Sequence, residues 1–569
     1  MVSPHLHVWI VVAIYLILVT VAGSYYSKFM ATSEAYFKAG NAVPWWASGI
    51  SMYMSNFTAY TFVGLGSLVY REGMTGLLLE TGPALAFLLA AKFFARRWHR
   101  LNLISPPEYL EARFNPTTRK VFSVFGISTT FISSGMRLYA MCKFAEGMMG
   151  VPLLPAIVVT GAIIVVYTML GGLWAVIITD FVQFVVLYLA AFCLLLMSAW
   201  AIFAQTGWHE FLAQIPAGYA TFPGPNPEHA WGWLLVFWFT YLLDYNGDWG
   251  IIQRMCCTPT ERDARRSALL SMAFSVPHAF LLLGPCFLAR VLFSEQVGDP
   301  NDTAVAEGAY GKIAALLLPP GLVGVVAAAM FSATMSTLST AWSVRSASLV
   351  NDLYVRFVRP LAQDREQIFV GRVAVAVFGA IAVAVAAYVA ARPSGLFALA
   401  QDLVGLVVIP LLTPLLGALF VRRTKAWAAL ASMGACLAFG LANKFAPGLL
   451  GLGAPLDFAW EVPLQFTLGL AVLVLSGWVP QTAHERAQQI SFDARLATPR
   501  PAPTVDTSLP PPLGVMSGFV LLIGALVLVL CIVPQTGVQR LVTLAGGLLL
   551  LVAGALMRRA QRHLSARAA

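Results

Sequence analysis

The sequence predicts an all-α polytopic membrane protein. Of the 569 residues, 59% are hydrophobic and only 11% are charged, a balance that soluble multidomain proteins do not have. Apolar runs of about 20 residues recur from end to end, and each is long enough to cross a hydrocarbon core of roughly 30 Å. Alternating ten-residue strands are absent, which argues against a membrane β-barrel.

The apolar runs predict about 15 transmembrane helices. The first run, from Val8 to Ala22, lacks a basic flank and a small-residue cleavage site, so we interpret it as a retained helix and not as a signal peptide. The expected spans are 7–27, 44–70, 76–95, 120–148, 152–170, 173–203, 231–251, 266–294, 309–350, 367–391, 396–421, 425–445, 462–480, 513–534 and 538–557.

The basic residues indicate a membrane topology, although the formal net charge of +10 would also suit a nucleic-acid-binding protein. They cluster at or beside the ends of predicted helices, as the positive-inside rule describes. With the N-terminus outside, all these clusters fall on the cytoplasmic side, which predicts a plasma (inner) membrane protein with a cytoplasmic C-terminus. The clusters are Lys92/Arg96/Arg97/Arg100, Arg113/Arg119/Lys120, Arg254/Arg262/Arg265/Arg266, Arg356/Arg359, Arg422/Arg423/Lys425 and Arg558/Arg559/Arg562.

Enzyme signatures are missing from the sequence. The seven cysteines are scattered without a C-x-x-C pair, so they predict neither a disulfide framework nor a metal site. No phosphate-binding loop or nucleophile constellation occurs, and we expect neither an enzyme nor an ATP-driven pump. The expected partners are the lipid bilayer, a small solute and an ion, with no nucleic acid, and the protein is expected to function as a monomer.

A cluster of hydroxyl groups interrupts the apolar run that contains residues 331–340. At helical spacing Ser336, Thr340 and Ser343 share one face, and Thr337 and Ser339 lie within about one turn of Ser336. Hydroxyl and carbonyl oxygens are hard ligands that suit an alkali cation. Small residues that ease helix packing are the alternative, but the density of the cluster favours an ion site.

The second predicted span, 44–70, is interrupted by polar residues. Asn56, Thr58 and Thr61 lie in the middle of it, and Gly64 and Gly66 follow. A broken helix exposes backbone carbonyls, which line buried sites at the midplane of transporters. Packing through small residues is the alternative, but an amide beside two hydroxyls favours a binding site.

Charged residues inside predicted spans are a further signal of function. A carboxylate at the bilayer centre costs roughly 2.5–3.5 kcal/mol on insertion scales, so a charge that persists there usually has a partner or a role. The candidates are Glu80, Arg137, Asp180 and one of Asp244 or Asp248. A structural ion pair, such as Glu80 with Arg137, is the alternative.

Two long motifs resemble those of the sodium:solute symporters. The sequence GGLWAVIITDFVQ at 171–183 resembles the family signature G-G-L-x-A-V-x-x-T-D-x-x-Q, and ATMSTLS at 333–339 resembles its sodium-site helix. Ile251–Arg254 before a basic loop also matches. The resemblance implies a leucine-transporter fold with two inverted five-helix repeats, at 44–203 and 231–421. An extra helix within 1–43 precedes them, and two peripheral helices within 422–480 follow. The polar and proline-rich stretch 481–512 is expected to be a cytoplasmic linker before two additional helices within 513–569.

The resemblance also implies one or two co-transported sodium ions. The sodium site common to the family would use the carbonyls of Met54, Phe57 and Ala333 and the hydroxyls of Ser336 and Thr337. Some relatives hold a further sodium ion with an aspartate and more hydroxyls of the same helix. The residues that match this second set are Asp180, Ser336, Ser339 and Thr340.

The solute-binding positions that the resemblance implies point in two directions. Asn56, Glu80 and Gln401 match positions of sodium/sugar symporters, whereas the lysine that those proteins carry on the helix matching 266–294 is missing, and His278 is the nearest polar residue. Arg137 matches the arginine with which sialic acid symporters bind a carboxylate, a role that Thr58 and Thr61 would also suit.

The expected function is sodium-coupled import of a small hydroxylated solute by alternating access. A sugar is favoured over a sugar acid. The alternatives are a sialic acid-like sugar-acid symporter, a non-transporting solute sensor and a sodium-leak channel on the same fold.

Overall fold

The computed structural model describes residues 8–15, 17, 41–55, 57–101, 106–168, 173–392, 395–500, 512–533 and 535–568. Every regular element within these ranges is helical, which confirms the all-α class. Residues 8–15 are helical. The α-helices that follow are α1 (Trp45–Met54), α2 (Gly66–Glu72), α3 (Met74–Leu79), α4 (Gly82–Leu89), α5 (Ala95–Leu101), α6 (Pro106–Arg113), α7 (Pro116–Met149), α8 (Leu153–Thr168), α9 (Leu173–Ala201), α10 (Trp208–Gln214), α11 (Trp231–Gly247), α12 (Trp249–Cys256), α13 (Glu261–His278), α14 (Gly284–Leu292), α15 (Ser294–Val297), α16 (Thr303–Leu317), α17 (Pro320–Ser348), α18 (Asp364–Ala390), α19 (Gly395–Leu403), α20 (Ile409–Gly417), α21 (Ala428–Phe445), α22 (Phe458–Ser476), α23 (Ala483–Ala497), α24 (Pro512–Val529) and α25 (Gly537–Ala568).

Within the described ranges, 11 helical segments are long and apolar enough to cross a membrane. Several of them join two α-helices through a π-helical turn, as Ala279–Leu283 joins α13 to α14. The other four predicted spans correspond to residues 7–27, which the structure describes only in part, to the shorter helix α8, and to the two broken helices α1/α2 and α11/α12. The multi-pass architecture is therefore confirmed.

Both broken helices are interrupted for a local reason. Helix α1 ends at Met54, the amide of Phe57 turns back onto the Met54 carbonyl at 3.0 Å, and helical structure resumes before the π-helical turn Thr61–Leu65. Helix α11 ends at Gly247, where Asp248 takes an extended conformation and caps α12 by accepting a hydrogen bond from the amide of Ile251. The first break was predicted from its polar residues, and the second was not.

The span predicted at 309–350 was wrong at its start. Helix α16 ends at Leu317, and α17 begins at Pro320 after an extended Pro319. Proline has no backbone N–H to donate within a helix, but its fixed φ angle suits the first helical position. The pair Pro319-Pro320 therefore separates two helices that a continuous apolar pattern had joined.

Segments that carry five of the six basic clusters meet at one end of the helix bundle, which we call the basic end. Arg100 forms an ion pair with Glu261 and donates to the carbonyls of Leu496 and Ala497. Similar contacts link further segments: Arg113 donates to the carbonyls of Val421 and Arg422, and Glu111 pairs with both Arg119 and Arg356. These contacts bring together segments that the topology prediction places on one membrane side.

The stretch predicted as a linker at 481–512 begins with a helix that is attached to the basic end. Thr482 and Glu485 form a capping box at the start of α23. Glu485 also accepts a hydrogen bond from Lys425 at 2.8 Å and one from the amide of Ala426 at 3.2 Å. Residues 501–511 lie outside the described residues.

We expect acidification to loosen α23. Burial alone would raise the pKa of Glu485, but hydrogen bonds from Lys425 and from the backbone of Thr482 and Ala426 lower it to about 2. Because the pKa is lower in the folded state, the stabilisation is present above the ordinary pKa of 4.5 and is lost as the pH falls toward about 2. Amide hydrogen exchange of residues 483–497 should therefore accelerate on acidification beyond its intrinsic pH dependence.

Glu485→Gln provides the control for this experiment. The variant lacks the titrating carboxylate, so its exchange at neutral pH should already be faster and should change less with acidification. An identical acid response in both proteins would contradict the assignment to Glu485.

Candidate functional site

A cavity of about 260 Å³ reaches from the middle of the bundle to the basic end. At the inner end it is lined by Ser55 beside the first helix break, by Asp244 and Asp248 at the second break, and by the hydroxyl face of α17. Toward the basic end Leu110 and Leu415 line it. Both helix breaks therefore border one cavity, which we call the main cavity.

The hydroxyl face of α17 lies against the first helix break. Ser336, Thr337 and Thr340 line the main cavity. Earlier on the same helix, the hydroxyl of Thr334 accepts a hydrogen bond from the amide of Ala59 at 3.2 Å. This amide follows the helix break and has no acceptor within its own helix, so Thr334 supplies one. Thr337 donates to the carbonyl of Ala333 at 3.0 Å, and this leaves lone pairs of its hydroxyl oxygen for a cation.

Asp180 belongs to a buried ion pair beside these hydroxyls. Its carboxylate accepts hydrogen bonds from Arg254 at 3.0 Å and from Ser51 at 2.6 Å. Arg254 also donates to Ser51 at 2.6 Å, so the three side chains tie α1, α9 and α12 together. Asp180 and Arg254 are 4% and 3% exposed. Asp180 lines the main cavity with Thr340, but its polar partners here are Arg254 and Ser51.

A second, much smaller cavity of about 10 Å³ lies around Glu80. Helix α3 ends at Leu79 and Glu80 is its C-cap residue, because Gly82-Pro83 starts a new helix, α4, two residues after Glu80. The Glu80 carboxylate is 3% exposed and is held by His278 at 2.9 Å and by Tyr241 at 3.0 Å. We call this space the Glu80 cavity; Thr61 and Ser275 add hydroxyls to its wall.

The His278 ring continues the hydrogen-bonded chain away from Glu80. Its second nitrogen bonds the hydroxyl of Tyr53, which accepts a hydrogen bond from Tyr188 at 2.9 Å. Phe57 packs edge-on against the same ring, with 5.4 Å between centroids. The imidazole is therefore fixed in orientation from both sides.

The predicted site residues are divided between these two places. Thr61 and Glu80 line the Glu80 cavity, whereas Arg137 lines the main cavity, so the suggested ion pair between Glu80 and Arg137 does not form. Thr58 is buried and accepts from the amide of Tyr60. The other predicted residues line neither cavity or lie outside the description: Met54 and Ala333 are buried, Ser339 and Gln401 are half-buried, and Asn56 lies outside the described residues.

Two functional candidates were underestimated from the sequence. His278 was noted only as the nearest polar residue to a missing lysine, yet it is the direct partner of Glu80. Arg254 was counted as part of a basic cluster, yet it is buried against Asp180. The available signal was its position in helix α12, two residues before the helix ends at Cys256. At such a position a side chain that snorkels to the membrane interface and a buried one have the same sequence pattern.

The sodium:solute symporter family profile matches residues 36–435. The chain belongs to this family. Its transport is thus sodium-coupled, and the motif resemblance and the leucine-transporter fold are confirmed.

Individual relatives transport different solutes. The sodium/glucose cotransporter of Vibrio parahaemolyticus is 27% identical over 77% of this chain and 85% of its own length. The sodium/sialic acid symporter SiaT of Proteus mirabilis is 22% identical over 84% of this chain and 95% of its own length. Human sodium/myo-inositol cotransporter 2 is 29% identical over 76% of this chain and 67% of its own length. A solved sodium-coupled sialic acid symporter superimposes with a TM-score of 0.70 at 21% identity, covering 84% of this chain and 98% of that one, which shows the fold.

Proposed function

We propose that the protein couples sodium influx to the uptake of an uncharged, hydroxylated solute, a sugar or a cyclic polyol. The observation that carries the proposal is the buried Glu80 carboxylate, which is held by His278 and Tyr241 in a cavity that is also lined by hydroxyl groups. A carboxylate accepts hydrogen bonds from solute hydroxyls and repels a solute carboxylate. The glucose and myo-inositol transport of the relatives supports this solute class.

The sodium ion is proposed to bind between the first helix break and α17. The ligands would be the carbonyls of Met54, Phe57 and Ala333 and the hydroxyls of Ser336 and Thr337. The hydrogen bond from Ala59 to Thr334, which holds the two elements together, supports this assignment. Asp180, Ser339 and Thr340 are proposed for a second ion, which would have to compete with Arg254 for the Asp180 carboxylate.

The protein is proposed to lie in the plasma (inner) membrane. Its basic end would face the cytoplasm, in agreement with the positive-inside rule. The main cavity then faces the cytoplasm, and the Glu80 cavity has room for little more than one water molecule. This arrangement corresponds to an inward-facing state of an alternating-access cycle. One helix bundle, built from the repeats at 44–203 and 231–421, would rock against the other around the midplane site, within one functional monomer.

A sugar acid is the second candidate, and the side chain of Arg137 favours it. Its guanidinium lines the main cavity, where it would bind a carboxylate through two parallel hydrogen bonds, a geometry that lysine does not reproduce. Sialic acid transport by the relative from Proteus mirabilis supports this candidate. Glu80 lies in the other cavity and would not contribute to holding the carboxylate.

Substitutions of Glu80 and Arg137 test the proposal in vesicles with an inward sodium gradient. Glu80→Gln should raise the KM for a transported sugar or polyol at least roughly tenfold, since it removes charge-assisted hydrogen bonds worth about 1.5–3 kcal/mol. Arg137→Lys should change this KM only modestly. Loss of most solute affinity in Arg137→Lys, with little effect of Glu80→Gln, would favour the sugar acid.

Glu72→Gln is the matched control. Glu72 is 6% exposed and pairs with His229 at 2.7 Å, so this variant breaks a similar buried pair away from both cavities. An equal rise of the KM in Glu72→Gln would show that the effect of Glu80→Gln is structural. Uptake of an amino acid, with no response to any sugar, polyol or sugar acid, would contradict both candidates.

A further inference from the structure

Asp244 is a carboxylate at the inner end of the main cavity. It lies in the last turn of α11, next to the helix break, yet its side chain is exposed to the cavity. Within the described part of the chain it forms no side-chain hydrogen bond and no ion pair. A charge at membrane depth is costly unless it is paired or has a function, so this carboxylate requires an explanation.

The other two carboxylates of the main cavity are already engaged. Asp180 is bound to Arg254 and Ser51. Asp248 caps the N-terminus of α12 through the amide of Ile251 at 3.2 Å, where the helix dipole stabilises a negative charge. Among the described residues that line this cavity, Asp244 is therefore the carboxylate that remains available to a ligand.

The same elimination among the cations leaves Arg137. Arg254 is bound to Asp180, and Arg345 donates to the hydroxyl of Thr130 at 3.1 Å. Arg137 lines the cavity and, in the described residues, makes neither a side-chain hydrogen bond nor an ion pair. Asp244 and Arg137 thus line one cavity without forming an ion pair with each other.

This arrangement selects ligands by their charge. A hydroxyl group both donates and accepts, so neighbouring hydroxyls of one solute can accept from Arg137 and donate to Asp244. A solute carboxylate is attracted by Arg137 but repelled by Asp244. A solute ammonium group is attracted by Asp244 but repelled by Arg137. We propose that Asp244 and Arg137 form a solute-binding dyad in which Asp244 excludes acidic solutes. The proposal rests on the uptake of neutral solutes proposed above and assigns the residue that enforces it.

The test compares neutral and acidic sugars on Asp244→Asn, which keeps the shape of the side chain and removes its charge. Glucose, myo-inositol and glucuronate are used as probes, with binding to the purified protein in sodium measured by thermal stabilisation. Wild type should bind a neutral probe in preference to glucuronate. In Asp244→Asn the ratio of the two affinities should shift toward glucuronate by roughly tenfold or more, because a repulsive charge is removed beside an unpaired guanidinium.

Two further variants make the result specific. In the double variant Asp244→Asn/Arg137→Gln the gain for glucuronate should disappear, since no guanidinium remains to bind it. Asp402→Asn is the matched control, because it removes one negative charge from an exposed ion pair with Lys444 that lies outside the main cavity. Its affinity ratio should equal that of wild type.

The outcomes separate the dyad from the proposed function. A folded Asp244→Asn protein with the wild-type ratio would overturn the dyad while leaving neutral-sugar uptake intact. If Asp244→Asn does not fold, Arg137→Gln is measured alone and should weaken binding of the neutral probe, and unchanged binding would overturn the dyad. Wild type that prefers glucuronate would overturn both proposals.

If wild type binds none of the probes, the proposed solute class fails, and the dyad stands only if Asp244→Asn gains Arg137-dependent binding of glucuronate. Tight binding of serine, a zwitterion, by wild type would overturn the selection for uncharged solutes.

Discussion

Replacing Thr337 by alanine is expected to raise the sodium concentration for half-maximal uptake by roughly ten- to hundredfold. In the proposed site the Thr337 hydroxyl supplies one of the few oxygens around the ion, and losing a contact to a charged group costs about 1.5–3 kcal/mol. The same hydroxyl donates only to the Ala333 carbonyl, one turn earlier on α17. The fold should therefore tolerate the change, and the effect should appear in sodium dependence measured in vesicles.

Ser346→Ala provides the matched control for this prediction. Ser346 lies on the same helix, is 7% exposed, and donates to the carbonyl of Gly371 at 3.0 Å, away from both cavities. It should lower stability slightly and leave the sodium requirement unchanged. If Thr337→Ala and Ser346→Ala shift the sodium dependence equally, or if neither does, the hydroxyl face of α17 does not bind sodium.

The membrane architecture could be predicted from the sequence because hydrophobicity along the chain directly reports which segments cross a bilayer. The break after Met54 was also predictable, since Asn56 and two threonines are costly in lipid unless they line a site. The break at Asp248 and the separation at Pro319 were harder to recognise. A single capping aspartate and a proline pair change the backbone without changing the apolar pattern around them.

The candidate site was predictable only in its chemistry. The sequence identified Glu80, Arg137 and Asp180 as charges that require a partner, but it could not name these partners. His278 lies 198 positions from Glu80, and Arg254 lies 74 positions from Asp180. Pairings over such separations are set by how helices are arranged, and no local pattern records them. The separation of Glu80 from Arg137 into two cavities has the same origin.

Removing Arg254 is expected to destabilise the protein by about 3–5 kcal/mol, because the Asp180 carboxylate would then be buried without its cation. Arg254→Gln keeps the length and polarity of the side chain approximately and deletes its charge. The measurement is the free energy of unfolding, or the midpoint of thermal unfolding, in sodium-free buffer. Asp180→Asn in the same background should recover part of the loss, since no uncompensated charge remains, and a double-mutant cycle gives the coupling.

The effect of sodium on stability distinguishes a structural ion pair between Asp180 and Arg254 from a pair that opens when a sodium ion binds Asp180. If Asp180 serves a second sodium, the carboxylate released in Arg254→Gln should bind it, and sodium should stabilise this variant more than it stabilises wild type. Asp180→Asn should then lower the Hill coefficient for sodium toward one and reduce the charge moved per solute. If wild type moves one sodium per solute and sodium stabilises Arg254→Gln no more than wild type, Asp180 is a structural residue. Its carboxylate then serves to hold α1, α9 and α12 together beside the first ion.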